Sequence, residues 1–295
     1  MSGRFGSVLT AMVTPFDRDM SVDLARAQEL AEWLLDHGSD GLVVAGSTGE
    51  GATLSDAEKI DLWRAVVGAV GGRAPVVAGT GTYDTAHSIH LTKEAERVGC
   101  DAALVVTPYY NRPPQRGLDA HFRGVAAATD LPNVLYNIPS RTVTVIEPET
   151  LLTLAHEVDN IVGVKDATAD FGTAARVIRD APEGFEVLSG NDNDTFPLVC
   201  LGASGVIAVA SHLAGERMNE MVRAATAGDL GTARKINDGL QPLYKALFVA
   251  GNPISLKAAM EMAGQPVGDP RLPLVPATAD ERTAIRRGLE DAGVL

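Results

Sequence analysis

The chain has 295 residues, a net charge of −13 at neutral pH, 45% hydrophobic residues and 21% charged residues. That balance fits a folded globular protein rather than a disordered one, and its negative sign argues against binding to nucleic-acid backbones or anionic membranes. Cys100 and Cys200 are the only cysteines and each sits in an apolar run, so neither a zinc site nor a disulfide framework is expected, and both thiols read as small buried hydrophobes in a reducing compartment.

Between Met1 and Asp19 there is no basic segment followed by an apolar one, and no apolar run reaches membrane-spanning length, which points to the cytoplasm. The first strand is expected over residues 7–15, ended by Pro15, and a polar loop leads to a helix over 22–37. Its Leu24, Ala27, Leu30, Ala31, Leu34 and Leu35 make one apolar stripe, with Gly38 as the cap. The second strand, 41–45, runs into Gly46-Ser47-Thr48-Gly49-Glu50-Gly51. Ser55 and Glu58 then form a capping-box pattern at the start of a helix. The third strand, 75–79, precedes Thr80-Gly81-Thr82 and a helix near 84–97. The fourth, 102–107, ends in Pro108-Tyr109-Tyr110-Asn111 before a helix over 115–128. The fifth, 134–138, is stopped by Pro139, and the following helix starts near Pro148.

The sixth strand is Asn160-Ile161-Val162-Gly163-Val164-Lys165-Asp166-Ala167, followed by a helix over 170–180. The seventh, 185–189, runs into Gly190-Asn191-Asp192, with a helix over 194–201, and the eighth covers 205–210. Beyond Ala214 the chain reads helical over 215–227, 230–250, 253–263 and 279–291, with a turn-rich connection from Gly268 to Pro273. Eight apolar strands alternating with eight helices predict an α/β fold with a parallel sheet, closed as a (β/α)8 TIM barrel. The barrel, carrying the active site, is expected over residues 1–214. A C-terminal helical region over 215–295 is expected to pack on it as one unit. A doubly wound open sheet is the alternative, weakened because no GxGxxG turn follows the first strand.

Barrel enzymes place their chemistry at the C-terminal ends of the strands. Those ends carry Ser47 and Thr48, Tyr109 and Tyr110, Tyr136 with Arg141 just beyond it, Lys165 and Gly190. A lysine in an apolar strand loses hydration, so it either pairs with an acid such as Asp166 or is held partly neutral as a nucleophile. Alternation puts Tyr136 and Lys165 on matching faces of neighbouring strands. Each other position reads two ways. The glycine-flanked turn is a tight turn or a carboxylate cradle, Tyr109 and Tyr110 are packing or interface residues or catalytic ones, Tyr136 is a core or a catalytic tyrosine, and Arg141 is a surface residue or a carboxylate clamp. Asp192 and Asp194 read as caps of the next helix rather than metal ligands, and His87 and His90 as solvent-facing or interface residues. Taken together, a buried amine, hydroxyls, amides and an arginine suit class I aldolase chemistry on a 2-oxo acid, with no metal or cofactor required.

Four motifs in order carry a closer likeness: Gly46-Ser47-Thr48-Gly49-Glu50, Thr107-Pro108-Tyr109-Tyr110-Asn111, Tyr136-Asn137-Ile138-Pro139-Ser140-Arg141-Thr142 and Gly163-Val164-Lys165-Asp166-Ala167. The chain resembles, from Thr10 to Pro273, the dihydrodipicolinate synthases of the N-acetylneuraminate lyase superfamily. The resemblance implies that Lys165 forms a covalent imine with pyruvate, that Tyr136 takes part in proton transfer and that Thr48 relays protons to it. It implies that Tyr110 completes the relay in a neighbouring subunit, within a homotetramer. It further implies that Ser47 and Thr48 bind the pyruvate carboxylate, that Arg141 binds the aldehyde substrate's carboxylate, and that Gly190 and Ile207 line the pocket. The implied reaction condenses pyruvate with L-aspartate-4-semialdehyde in lysine and diaminopimelate biosynthesis.

Two departures bear on that reading. Serine at position 47 is more like the sialic acid lyases, so a sibling aldolase acting on N-acetylneuraminate or a 2-keto-3-deoxy acid stays open beside the synthase, as does a barrel that has lost catalysis. Arg141 after Tyr136-Asn137-Ile138-Pro139-Ser140 resembles the synthase branch. At the family's allosteric lysine site the matching residues are Asp56, Lys59, Tyr83 and His87, and such a set implies weak or absent feedback by L-lysine.

Overall fold

Each strand is short and buried along nearly all of its length, because a barrel interior covers one face and helices cover the other. The computed structural model describes residues 3–295; Met1 and Ser2, the first positions of the expected barrel unit, lie outside the described residues. The order begins with β1 (Val8–Ala11), α1 (Leu24–Asp36), β2 (Gly41–Val44), α2 (Asp56–Val70), β3 (Val76–Gly79) and α3 (Thr85–Val98). It continues with β4 (Ala102–Val106), α4 (Gln115–Ala126), β5 (Asn133–Asn137), a short α5 (Pro139–Thr142), α6 (Pro148–Glu157) and β6 (Ile161–Asp166). Then come α7 (Phe171–Asp180), β7 (Glu186–Ser189), α8 (Thr195–Leu201), β8 (Gly205–Ala208), α9 (Ser211–Thr226), α10 (Leu230–Ala246), α11 (Ile254–Met262) and α12 (Ala279–Asp291). The eight strands form a closed parallel barrel in sequence order, with β1 paired to β8, so the open-sheet alternative is excluded.

Local chemistry sets the boundaries. The Ser55 hydroxyl accepts from the Glu58 N–H and the Glu58 carboxylate accepts from the Ser55 N–H, the expected capping box of α2. Asp23, Asp84 and Asp170 cap α1, α3 and α7 through their carboxylates. Gly38 follows α1 at φ +95°, where an added Cβ would lie 2.4 Å from the Glu216 nitrogen, so only glycine fits. Pro139 does more than stop β5: it opens the single turn of α5.

The described structure departs from the expected outline at the eighth strand. β8 ends at Ala208 rather than Ala210, because the Val209 and Ala210 N–H groups donate to the Asp192 carboxylate at 3.0 and 2.9 Å instead of to a neighbouring strand. Helix α9 therefore starts at Ser211, four residues before the expected 215, with a kink at Ala214. Asp192 is thus not the cap of the next helix; it lies in a 3-10 turn (Asp192–Asp194) that precedes α8, and Asp194 makes no side-chain capping bond either. Cys100 is buried as expected, but Cys200 is exposed: Leu198 and Val199 turn inward on α8, leaving its sulfur on the outer face. Helix α10 also stops early, ending at Ala246 rather than near 250.

Apolar side chains fall into an inner and an outer layer. Leu9, Val43, Val77, Leu104, Val134 and Leu188 fill the barrel with Tyr136 and Ile207, while the helices pack on the outer faces of the strands. Helix α9 packs against β1 and α10, and α12 against α10 and α11. His212, fully buried, ties two strand ends together: its Nδ1–H donates to the Val209 carbonyl at 2.8 Å and its Nε2 accepts from the Val13 N–H at 3.2 Å. Burial holds its pKa down to about 4, so the ring is neutral and both nitrogens keep fixed roles.

Candidate active site

The site is built from the strand ends, and β5 and β6 supply its centre. In register, Tyr136 pairs with Lys165 and Asn137 with Asp166. Both Tyr136 and Lys165 point inward, each 5% exposed, and the Lys165 Nζ stands 4.3 Å from the centroid of the Tyr136 ring. Asp166, one residue on, faces the other way and accepts from the Thr168 N–H at 2.8 Å, so it is not the partner of Lys165. The charges that act on Lys165 are Asp192, which favours the ammonium, and Arg141, which opposes it. Desolvation outweighs both and draws the lysine pKa down from 10.5 to about 7. Burial also raises the Asp192 carboxyl to about 6, against the pull of its two backbone donors and of Lys165.

Burial pushes the Tyr136 phenol up to about 12, and the Arg141 charge and a hydrogen bond with Ser47 act in the opposite direction. Ser47 is therefore the hydroxyl beside Tyr136. Thr48, the next residue, is buried, and its Oγ1 accepts from Asn252 Nδ2 at 2.9 Å. The turn that presents both hydroxyls is tightly pinned. Ala45 and Glu50 adopt φ of +58° and +54°, a conformation in which a non-glycine residue is strained, and a Cβ on Gly51 would sit 2.1 Å from the Ala45 carbonyl oxygen.

The turn is anchored from the C-terminal region. Glu50 Oε1 meets Lys257 Nζ at 2.8 Å, with both side chains buried, and Glu50 Oε2 accepts from the Arg271 N–H at 2.8 Å. Lys257 and Arg271 lie over the Phe16 ring, 4.2 and 4.4 Å from its centroid. Arg271 also bonds Glu58 at 2.5 Å, the residue that closes the α2 capping box.

The remaining expected residues fall around this centre. Arg141, in α5, is exposed at the mouth and donates from Nη2 to the Asn252 carbonyl at 3.3 Å. Gly190 is half-buried, and a Cβ there would lie 2.7 Å from the Ala167 Cβ, so the position has room only for glycine. Ile207 is buried in β8 beside Leu9. Tyr110 is the exception: it is 95% exposed with φ +72°, turned to solvent rather than to the other site residues of its own chain. A cavity lined by Ser47, Tyr109 and Tyr136 continues to Asp56, Lys59, Tyr83 and His87. In that arm His87 Nε2 lies 2.9 Å from Asp56 Oδ1, and the ring of Tyr83 meets that of Tyr109 edge-on at 5.5 Å.

Three contributors carry little signal in the sequence. Asn252 sits in a connection between two helices with nothing local to mark it. Asp192 reads as a cap because Asn-Asp-Asn-Asp is a common helix-start pattern. The Glu50–Lys257 pair joins residues more than two hundred positions apart, and only the glutamate of the glycine-rich turn hints at it. Among the described residues, no group of three His, Cys, Asp or Glu side chains is placed to hold a metal ion, and no helix is long and apolar enough to cross a membrane.

Comparison with known proteins agrees along the whole chain. Residues 4–292 match the model of the dihydrodipicolinate synthetase family. A 4-hydroxy-tetrahydrodipicolinate synthase of Moorella thermoacetica is 52% identical over 292 residues, spanning 99% of this chain and 100% of that one. Its counterpart in Desulforamulus reducens is 49% identical, spanning 99% and 98%. The crystal structure of the enzyme of Cyanidioschyzon merolae, with lysine bound, is 43% identical and superposes with a TM-score of 0.98 over 99% of this chain and 100% of that one.

Proposed function

The chain belongs to the dihydrodipicolinate synthetase family, and we propose on that premise that it condenses pyruvate with L-aspartate-4-semialdehyde to 4-hydroxy-tetrahydrodipicolinate through an imine on Lys165. It is a lyase-type enzyme of lysine and diaminopimelate biosynthesis. The observation that carries the mechanism is the buried Lys165 amine, with its pKa drawn down to about 7, set against the Tyr136 ring. A neutral amine is the nucleophile that carbonyl chemistry needs.

The steps balance on groups of this chain. The Lys165 nitrogen attacks C2 of pyruvate, and the carbonyl oxygen leaves as water to give the imine. Loss of a proton from C3 turns the imine into an enamine, whose C3 forms the new carbon–carbon bond to the aldehyde carbon. The substrate's own amino group then adds at C2 and displaces Lys165, which regenerates the enzyme. Each step moves protons at an oxygen, nitrogen or carbon next to the buried amine, and Tyr136, with a phenol that stays protonated far above neutral pH, suits that task. Ser47, the hydroxyl bonded to Tyr136, relays protons with it in place of the expected Thr48, Ser47 and Thr48 hold the pyruvate carboxylate, and Arg141 holds the carboxylate of the aldehyde at the mouth. Gly190 and Ile207 shape the wall.

Tyr110 enters this scheme from a second copy of the chain. A tyrosine that is almost wholly exposed fits a residue lent across a dimer interface, within a homotetramer. No dissociable cofactor takes part; the covalent group is pyruvate itself. The two unpaired thiols suit a reducing cytoplasm, where both substrates are small soluble acids. A coupled assay tests the reading: purified protein, pyruvate and L-aspartate-4-semialdehyde, with the downstream reductase and NADPH reporting product. NADPH loss that depends on this protein is expected. Silence in that assay, with pyruvate still trapped by borohydride, would transfer the reading to a sugar-acid aldolase.

A further inference from the structure

We infer that Asp192 is a positioning residue for the reaction: its carboxylate is the fixed counter-charge for the cation that the Lys165 nitrogen becomes when it carries pyruvate. The inference rests on the imine reading above. In register, Lys165 pairs with Leu188 on β7, and Ser189 pairs with Val206 on β8. Beyond Ser189 the 3-10 turn carries Asp192 across to the end of β8, where its carboxylate takes the Val209 and Ala210 N–H groups, one on each oxygen. The side chain is thereby pinned at the same end of the barrel as Lys165, and it is 2% exposed. The two N–H bonds account for its position. A buried carboxylate is costly, however, unless a cation answers it. Among the described residues Asp192 forms no ion pair of the kind that joins Glu50 to Lys257. The charge that acts on it is that of Lys165, and Asp192 is in turn the attractive charge acting on Lys165.

The surroundings supply no other cation to answer Asp192. Helices α8 and α10 pack on the turn. The only titratable side chain of α8 is Cys200, which is exposed. Helix α10 faces the turn with Tyr244, whose buried hydroxyl has no hydrogen-bond partner. Burial pushes that phenol up, the Asp192 charge adds to the shift, and Arg217 on α9 opposes it. Asp194, in the same turn, accepts from the Asn191 and Asn193 amides at 2.8 and 2.9 Å. On the lysine side Arg141 opposes Asp192, and Tyr136 presents an uncharged ring. The chemistry gives the charge a task. Attack of the neutral amine on C2, uptake of one proton and loss of water leave a protonated imine. Its positive charge sits on a buried nitrogen until the C3 proton leaves and the neutral enamine forms. A carboxylate held in place by the backbone steadies that charge without taking its proton.

Asp192→Asn removes the charge and keeps the shape, with one oxygen left to accept from the end of β8. The rate of imine formation with pyruvate is followed against pH. In the parent the midpoint is expected near 7, where burial works against the pull of Asp192. In Asp192→Asn it is expected about one pH unit or more lower, because the group that favours the ammonium is gone. The pyruvate concentration that half-saturates borohydride trapping is expected to rise about tenfold or more, the same shift read as a fold-change. A carboxylate that only held the end of β8 would slow the rate alike at every pH and leave the midpoint in place. The thermal unfolding midpoint reports whether the variant is folded. A second measurement needs no substitution at 192. The parent is labelled with heavy carbon at its aspartate carboxyls and studied by infrared difference spectroscopy at pH 6, where Asp192 is about half protonated. As pyruvate forms the imine, a carboxylic acid band is expected to give way to a carboxylate band, with no such exchange in Lys165→Ala. An unmoved midpoint in folded Asp192→Asn, or no aspartate ionised as the imine forms, overturns the inference. A parent protein that forms no imine would instead overturn the reading on which it rests.

Discussion

Tyr136 and Lys165 are register partners on adjacent strands of the barrel, and the lysine nitrogen lies 4.3 Å from the tyrosine ring centroid. The ring supplies a weakly attractive face but no proton acceptor for the amine, and the burial that puts the two together draws the lysine pKa down while raising the tyrosine's. In the proposed mechanism, one placement therefore prepares a nucleophile and a proton carrier together.

The pH dependence of imine formation follows from those shifts. With its pKa near 7 rather than 10.5, the Lys165 amine is mostly charged below pH 7 and mostly neutral above it. Only the neutral form attacks. The single-turnover rate of imine formation with pyruvate is expected to rise about tenfold per pH unit below 7 and to level off above it. Stopped-flow mixing with pyruvate reads this directly. A rate still climbing tenfold per unit at pH 9 would mean that burial does not activate the amine.

The tyrosines separate chemistry from folding. Tyr136→Phe removes one phenol oxygen from a filled barrel interior, and Tyr110→Phe removes one from an exposed position. Each is expected to slow turnover by ~10²-fold or more, with unfolding midpoints near the parent's. A Tyr110→Phe variant with parent activity would remove the case for a tyrosine lent between subunits.

The Glu50–Lys257 pair is the anchor of the Ser47-Thr48 turn. Removing one member leaves a buried charge unpaired, so Glu50→Gln is expected to lower stability by ~3–5 kcal/mol and to reduce turnover, because the turn it holds carries two site hydroxyls. Glu50→Gln/Lys257→Met removes both charges and is expected to recover much of the stability. Denaturant titration of these variants, of Lys257→Met alone and of the parent decides the matter. Losses that simply add would show that the pair contributes no coupling.

Feedback by L-lysine is expected to be weak or absent. The arm of the cavity beyond Tyr109 holds Asp56, already paired to His87 at 2.9 Å, and the buried amine of Lys59. Burial lowers the Lys59 pKa while Asp56 opposes the shift. A cationic amino acid entering there meets an occupied carboxylate and a second amine. Activity measured across submillimolar L-lysine is expected to change by less than about twofold, a small differential in binding energy. Strong inhibition in that range would contradict the expectation.

Much of the site is legible in the sequence because its chemistry sits where periodicity places it. The alternation of β5 and β6 alone puts Tyr136 and Lys165 on matching faces, and the register bears this out. The eight strand–helix repeats lead to the closed barrel. What is not legible depends on long-range packing. Asp192 lies in a pattern that ordinarily caps a helix, yet here it takes the two N–H groups that β8 leaves free. Asn252 and Lys257 reach the glycine-rich turn only because α10 and α11 fold back over the barrel mouth. Cys200 reads as buried from its apolar neighbours, whereas a helix turns successive residues to different faces.

Carriage of pyruvate as an imine on Lys165 is the centre of the proposed mechanism. Its most direct measurement is borohydride reduction of the protein in the presence of pyruvate, followed by peptide mapping by mass spectrometry. One modified residue is expected, Lys165, with loss of both the modification and turnover in Lys165→Ala. A trapped adduct on another lysine, or a Lys165→Ala protein that still condenses its substrates at the parent rate, would contradict it.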